Sequence, residues 1–160
     1  MVRVTVSFIL ALSVLSACST ETQYNSPIDS GGLGLSRAEW ENSYEGTKWE
    51  DSAQVLFRVG TREYLVLFRD GNADIIHFKN NQEKAMTLES ARRETEVLIP
   101  RDSKLLGSQP DSQTIFADYY SESLKARFSE TSWRSGNPGH FHVSYLVKNG
   151  AVESFVIQVG

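Results

Sequence analysis

Residues 64–78 read YLVLFRDGNADIIHF, two β-prone runs around Asp70-Gly71. Aspartate and glycine tolerate the positive φ that a tight hairpin needs, so the pair marks a turn between antiparallel strands. Upstream, Val55, Phe57 and Val59 alternate with Gln54 and Arg58, the period of a half-buried strand. Three antiparallel strands are expected at about 53–59, 62–69 and 73–79. Tyr64 to Phe68 is continuously apolar, which suits a strand covered on both faces.

The same plan returns near the other end. In SYLVKNGAVESFVI (144–157) a cation again precedes a turn pair, here Asn149-Gly150. Phe141, Val143, Tyr145 and Val147 alternate with His142, Ser144 and Lys148. Phe155, Ile157 and Val159 form the apolar face of the last strand. Each hairpin lies downstream of a capped helix, which suggests a weak duplication with a period of about 80 residues.

Helix signals are local. Ser36-Arg37-Ala38-Glu39 is a capping box, with Leu35 and Trp40 at the staple positions. It predicts a helix over about 37–44, ended at Gly46. Thr87 caps a second helix, whose apolar face is Leu88, Ala91 and Leu98, and Pro100 ends it. Arg92-Arg93 reads as a solvated face of that helix. Lys104 to Leu106 suits a short strand and GSQPDSQ (107–113) a loop. Thr114 to Tyr120 suits a strand. Ser121 caps a short helix carrying Leu124 and Phe128 at i, i+4. SGNPG (135–139) is a second loop.

The fold class expected is therefore α+β, an antiparallel sheet of hairpins and meander with two or three short helices. It forms either one domain over 35–160 or a tandem of two small modules, 35–82 and 83–160. The chain has 160 residues, 40% hydrophobic and 22% charged, enough to build a core. The formal net charge of -4 gives no nucleic-acid footprint. One cysteine forms no internal disulfide and excludes a cysteine-based zinc site.

That cysteine ends a targeting segment. Arg3 precedes an uncharged, mostly apolar run from Val4 to Val14, too short to span a bilayer, which needs roughly 20 residues. Leu15-Ser16-Ala17-Cys18 follows. It resembles the lipobox of bacterial lipoproteins, in which the cysteine thiol takes a diacylglycerol and the chain is cut just before it. The resemblance implies a signal peptide over 1–17, a lipid anchor on Cys18 and a membrane-bound, extracytoplasmic protein. Ser19, where an Asp would favour inner-membrane retention, leans towards the outer membrane or cell surface in a host with two membranes. Residues 18–34, rich in Ser, Asn, Pro and Gly, read as a flexible tether with no stable element.

The stretch GLGLSRAEWENSYEG (32–46) before a meander resembles small outer-membrane lipoproteins of the BamE (SmpA/OmlA) type and β-lactamase-inhibitor-like modules. Gly34, Leu35, Ser36, Glu39 and Gly46 carry the likeness. It departs by having one clear helix where those modules have two. The resemblance implies an anchored binding or scaffold module and transfers no site.

Chemistry-bearing sets are sparse. His140 and His142 share a strand face and could bind a metal, but no third ligand is evident; a solvated face is the plainer reading. His77, between Ile76 and Phe78, reads as a strand residue. No Gly-x-Ser-x-Gly elbow occurs. Gly32-Leu33-Gly34 follows a polar stretch where a nucleotide fingerprint needs a strand. Asp70 to Asp74 lacks the closing Glu of a calcium loop. Tyr119-Tyr120 with Trp133 could line a recognition surface or fill the core. The expectation is a non-enzymatic protein with no catalytic, cofactor or metal residues, whose partner is a protein or an envelope component. An inhibitor or sensor of an extracytoplasmic enzyme is the alternative, and a hydrolase assembled by folding the least favoured.

Overall fold

The computed structural model describes residues 27–44, 46–51, 54–80, 85–134 and 137–160, with 46–51 given by backbone alone. Helix α1 spans Arg37–Ser43 and is followed by β1 (Gly46–Asp51), β2 (Gln54–Val59), β3 (Arg62–Arg69) and β4 (Asn72–Lys79). Helix α2 spans Leu88–Leu98, followed by β5 (Lys104–Asp111) and β6 (Thr114–Tyr120). A one-turn helix α3 (Glu122–Lys125) and a 3-10 turn (Glu130–Ser132) lie before β7 (His140–Lys148) and β8 (Ala151–Val159). The fold is α+β in the broad sense and dominated by strands.

All eight strands join one antiparallel sheet in the order β1-β2-β3-β4-β8-β7-β6-β5. Each half is a helix followed by a four-strand meander, and the two halves meet at their last strands, with Ile76 opposite Ile157 and Phe78 opposite Phe155. Both hairpin turns use two positive-φ residues, Asp70 (51°) and Gly71 (75°), then Asn149 (52°) and Gly150 (78°). That is the geometry that lets a two-residue turn follow the strand twist. Each hairpin slips register beyond its turn, between Leu67 and Phe68 and between Leu146 and Val147. Each half also ties its helix entry to its last strand. The Ala73 amide donates to the Leu35 carbonyl at 2.7 Å, and the Val152 amide to the Met86 carbonyl at 2.8 Å.

The capping box forms as its spacing predicts. The Glu39 amide donates to Ser36 Oγ at 3.3 Å, and the Ser36 amide donates to Glu39 Oε2 at 2.6 Å. Thr87 Oγ1 accepts from the Ser90 amide at 3.1 Å. One continuous core lies between the helices and a single face of the sheet. It joins Trp40, Ala91, Leu98, Leu124 and Trp133 to Phe57, Tyr64, Phe78, Tyr145 and Phe155.

Five expectations change. First, the segment from Ser30 to Gly34 is folded. Ser30 bridges Pro100, Leu33 is fully buried, and the Trp40 indole donates to the Gly32 carbonyl at 2.9 Å. The Gly31, Gly32 and Gly34 carbonyls each accept a side-chain hydrogen bond, and with buried Leu33 they outweigh a polar composition. Second, residues 107–111 continue β5 instead of looping. All eight β5 residues are exposed, so the backbone ladder to β6 holds the strand and burial leaves no period to read. Third, a further strand, β1, begins at Gly46, where the helix was expected to stop. Fourth, β3 is covered by helices on one face only. Fifth, α3 ends at Lys125, so Phe128 is buried beyond it, edge-on to Trp133 at 5.7 Å.

The leader 1–17, Cys18 and the tether up to residue 26 lie outside the described residues. Among those described, no helix is long and apolar enough to cross a membrane.

Candidate functional site, the open sheet face

Away from the register shifts next to the two hairpin turns, core residues on the strands alternate with neighbours on the opposite face, and no described helix packs there. Register aligns those neighbours into rows across the sheet. One row is Leu56, Leu65, His77, Val156, Ser144, Phe116 and Gln109. The next runs from Leu67 and Ile75 to Gln158, His142 and Asp118. A third begins with Arg58, Glu63 and Lys79 and reaches Leu146 and Asp111. A solvated sheet face ordinarily carries polar residues at these positions. Here Leu56, Leu65, Leu67, Ile75 and Val156 form a partly exposed apolar field around His77. Arg58 and Glu63 border it as an ion pair at 2.7 Å.

All three histidines stand on this face, but they do not form one centre. His77 is on β4, His140 and His142 are on β7, and β8 runs between them. Two strand spacings put the two sets roughly 10 Å apart. Burial pushes the His77 pKa down, assisted by Lys79. His142 is half-buried and also lowered, mainly by burial; Asp118 opposes the shift and Arg134 adds to it. Both are therefore neutral imidazoles near pH 7. His140 meets the ring of Tyr120 edge-on at 5.5 Å. Among the described residues no group of three His, Cys, Asp or Glu side chains is placed to hold a metal ion.

His142 and Asp118 are direct cross-strand partners. With Gln109, Pro110, Asp111 and Phe116 they line a cavity of about 550 Å³. Phe116 is 38% exposed, among the more exposed large apolar residues of the fold. Sequence reasoning placed His142 and missed the rest. The pairing of β6 with β7 brings Asp118 to it, and β5, read as a loop beyond Leu106, supplies Gln109 and Asp111.

The remaining candidates are structural. Trp133 is 6% exposed and belongs to the core. Tyr119 stacks on Phe141 at 5.2 Å. Gly32 and Gly34 sit against Leu98 and Leu124, with a Cβ at either meeting atoms within 3.0 Å, so the glycines there serve close packing. Asp70 is a turn residue that accepts from the Ser129 amide at 3.2 Å and from Ser129 Oγ and Ser132 Oγ. It anchors the β6–β7 connection to the first hairpin. Asp74, 3% exposed, has Oδ2 between Arg69 Nη2 at 3.0 Å and Arg134 Nη2 at 2.9 Å, while Oδ1 has no hydrogen-bond partner among the described residues. Burial raises its pKa against the pull of both guanidiniums.

No family model, curated protein or solved structure matches the chain.

Proposed function

We propose that this is a non-catalytic protein, held at the extracytoplasmic side of a bacterial membrane by a lipid on Cys18, that docks a protein partner on its open sheet face. The observation that carries the docking is the one-sided layering. The two longer helices pack on one face, and the other presents five aliphatic side chains in adjoining rows. An apolar field rimmed by polar groups is characteristic of interaction surfaces. The anchor rests on the Leu15-Ser16-Ala17-Cys18 motif and the apolar run before it.

Two experiments test the reading. A Cys18→Ala chain should leave the membrane fraction; retention there would sink the anchor. For docking, the full chain is cross-linked in envelopes and its partner captured. Leu65→Glu with Leu67→Glu should abolish capture, while Val97→Glu, on the exposed outer side of α2, should not. Equal capture by both variants would sink the docking face. Thermal melts establish that each variant is folded.

A further inference from the structure

We propose that the cavity between β5, β6 and β7 receives an arginine side chain of the protein that docks on the open face. The inference rests on the docking reading and adds the chemistry of the contact. Its lining combines one exposed phenyl ring, Phe116, with Gln109, Pro110, His142 and the acidic residues Asp111 and Asp118. Among the described residues neither Lys nor Arg lines it; Arg134 acts on His142 through its charge from outside the lining.

The polar groups there are uncommitted. The side chains of Asp118 and Gln109 make no hydrogen bond or ion pair within the described residues; Asp118 is felt by His142 only through its charge. Asp111 accepts from the neighbouring Ser112 hydroxyl at 3.1 Å. The other described aspartate side chains are engaged. Asp70 and Asp102 hold serines, Asp74 holds two arginines, and Asp29 faces Arg101 at 3.3 Å. A cavity with net negative charge and a half-buried neutral imidazole calls for a cationic guest.

The phenyl ring narrows the choice. A guanidinium is planar, is weakly hydrated and stacks on an aromatic face while its fork donates to a carboxylate. Phe116 and Asp118 are two residues apart on one strand face, roughly 7 Å along the strand. One guanidinium can lie over the ring and reach the carboxylate. Lysine, a compact and strongly hydrated ammonium, gains less from the ring.

The test is a titration of the isotope-labelled full chain in detergent, followed by amide NMR. The probes are N-acetyl-arginine methylamide, its neutral isostere N-acetyl-citrulline methylamide, and methyl glucoside. The arginine probe should shift the amides of Phe116, Asp118 and His142 saturably. The citrulline probe, and the arginine probe on Asp118→Asn, should bind about fivefold more weakly or less. Equal binding of citrulline, shifts mapped elsewhere, or shifts from the glucoside alone would each overturn the inference. If the leucine variants abolish partner capture while arginine leaves the cavity silent, the docking reading stands and this inference fails. If arginine titrates the cavity and capture ignores the leucines, the docking reading fails on its own.

Discussion

Arg127 Nη2 donates to Glu39 Oε2 at 2.7 Å across 88 positions of chain, and Arg127 Nε donates to the Gly34 carbonyl at 2.8 Å. The arginine is 3% exposed, while Glu39 is 47% exposed. One guanidinium thus ties the β6–β7 connection to the α1 capping box and to the folded 30–34 segment. Its backbone carbonyl accepts from Asn72 Nδ2 at 2.8 Å, which adds the start of β4. Arg127→Met keeps much of the volume and leaves the Gly34 carbonyl without this donor. It should cost about 2 kcal/mol in urea unfolding, with solvent on Glu39 moderating the charge contribution.

Thr95 and Tyr145 share a buried hydroxyl bond of 2.8 Å between α2 and β7. Burial pushes the Tyr145 phenol up to about 12, with the Thr95 bond opposing. Tyr145→Phe should cost about 1 kcal/mol, because one buried hydrogen bond is lost while the Thr95 hydroxyl keeps its bond to the Arg92 carbonyl at 2.9 Å. Thr95→Val in the Tyr145→Phe background should cost less than it does alone. A double-mutant cycle of chemical denaturation measures that coupling.

Two glycines with left-handed backbone should answer differently to alanine. Gly150 has φ 78° with open space around it, so Gly150→Ala meets conformational strain alone, about 1 kcal/mol. Gly139 has φ 88°, and a Cβ there would lie 2.7 Å from the Tyr120 ring and 2.8 Å from the Ser121 carbonyl. Gly139→Ala should lower the melting temperature clearly further than Gly150→Ala does.

Acid should loosen the β6–β7 connection. Asp102 accepts from Ser121 Oγ at 2.7 Å and from the Ser123 amide at 2.8 Å. Burial tends to raise the Asp102 and Asp70 pKa values, and serine hydrogen bonds prevail and bring both below the usual 3.8. A lowered carboxylate pKa means that the unfolded chain holds more protons in that range. Its stabilisation is complete above the unfolded value and is lost as pH falls through the folded one. Stability should therefore drop below about pH 4, and the drop should be shallower in Asp102→Asn. Asp74, raised by burial, has the opposite sign and offsets part of the loss. Urea midpoints from pH 7 to 3 for both chains measure it.

Local signals in the sequence were legible where one residue type does one job. Asp70-Gly71 and Asn149-Gly150 gave their turns, Ser36 and Glu39 their cap, and Thr87 the start of α2. The long-range arrangement was not. That β4 pairs with β8 depends on Ile76 and Phe78 meeting Ile157 and Phe155, and nothing local to either strand names its neighbour. The open face was hidden for the same reason. Leu65 and Leu67 look like core residues until the register shows Tyr64 and Val66 taking the helix side. Asp118 became interesting only when pairing placed it beside His142.

The sheet order has a kinetic meaning. Strand pairing within each meander joins consecutive strands, so each half closes over loops of modest length, the longest being the β6–β7 connection. Among strand ladders only β4–β8 joins the two meanders, and it must close most of the second half as a loop. Loop-closure entropy and contact order make that seam the slow step of strand assembly.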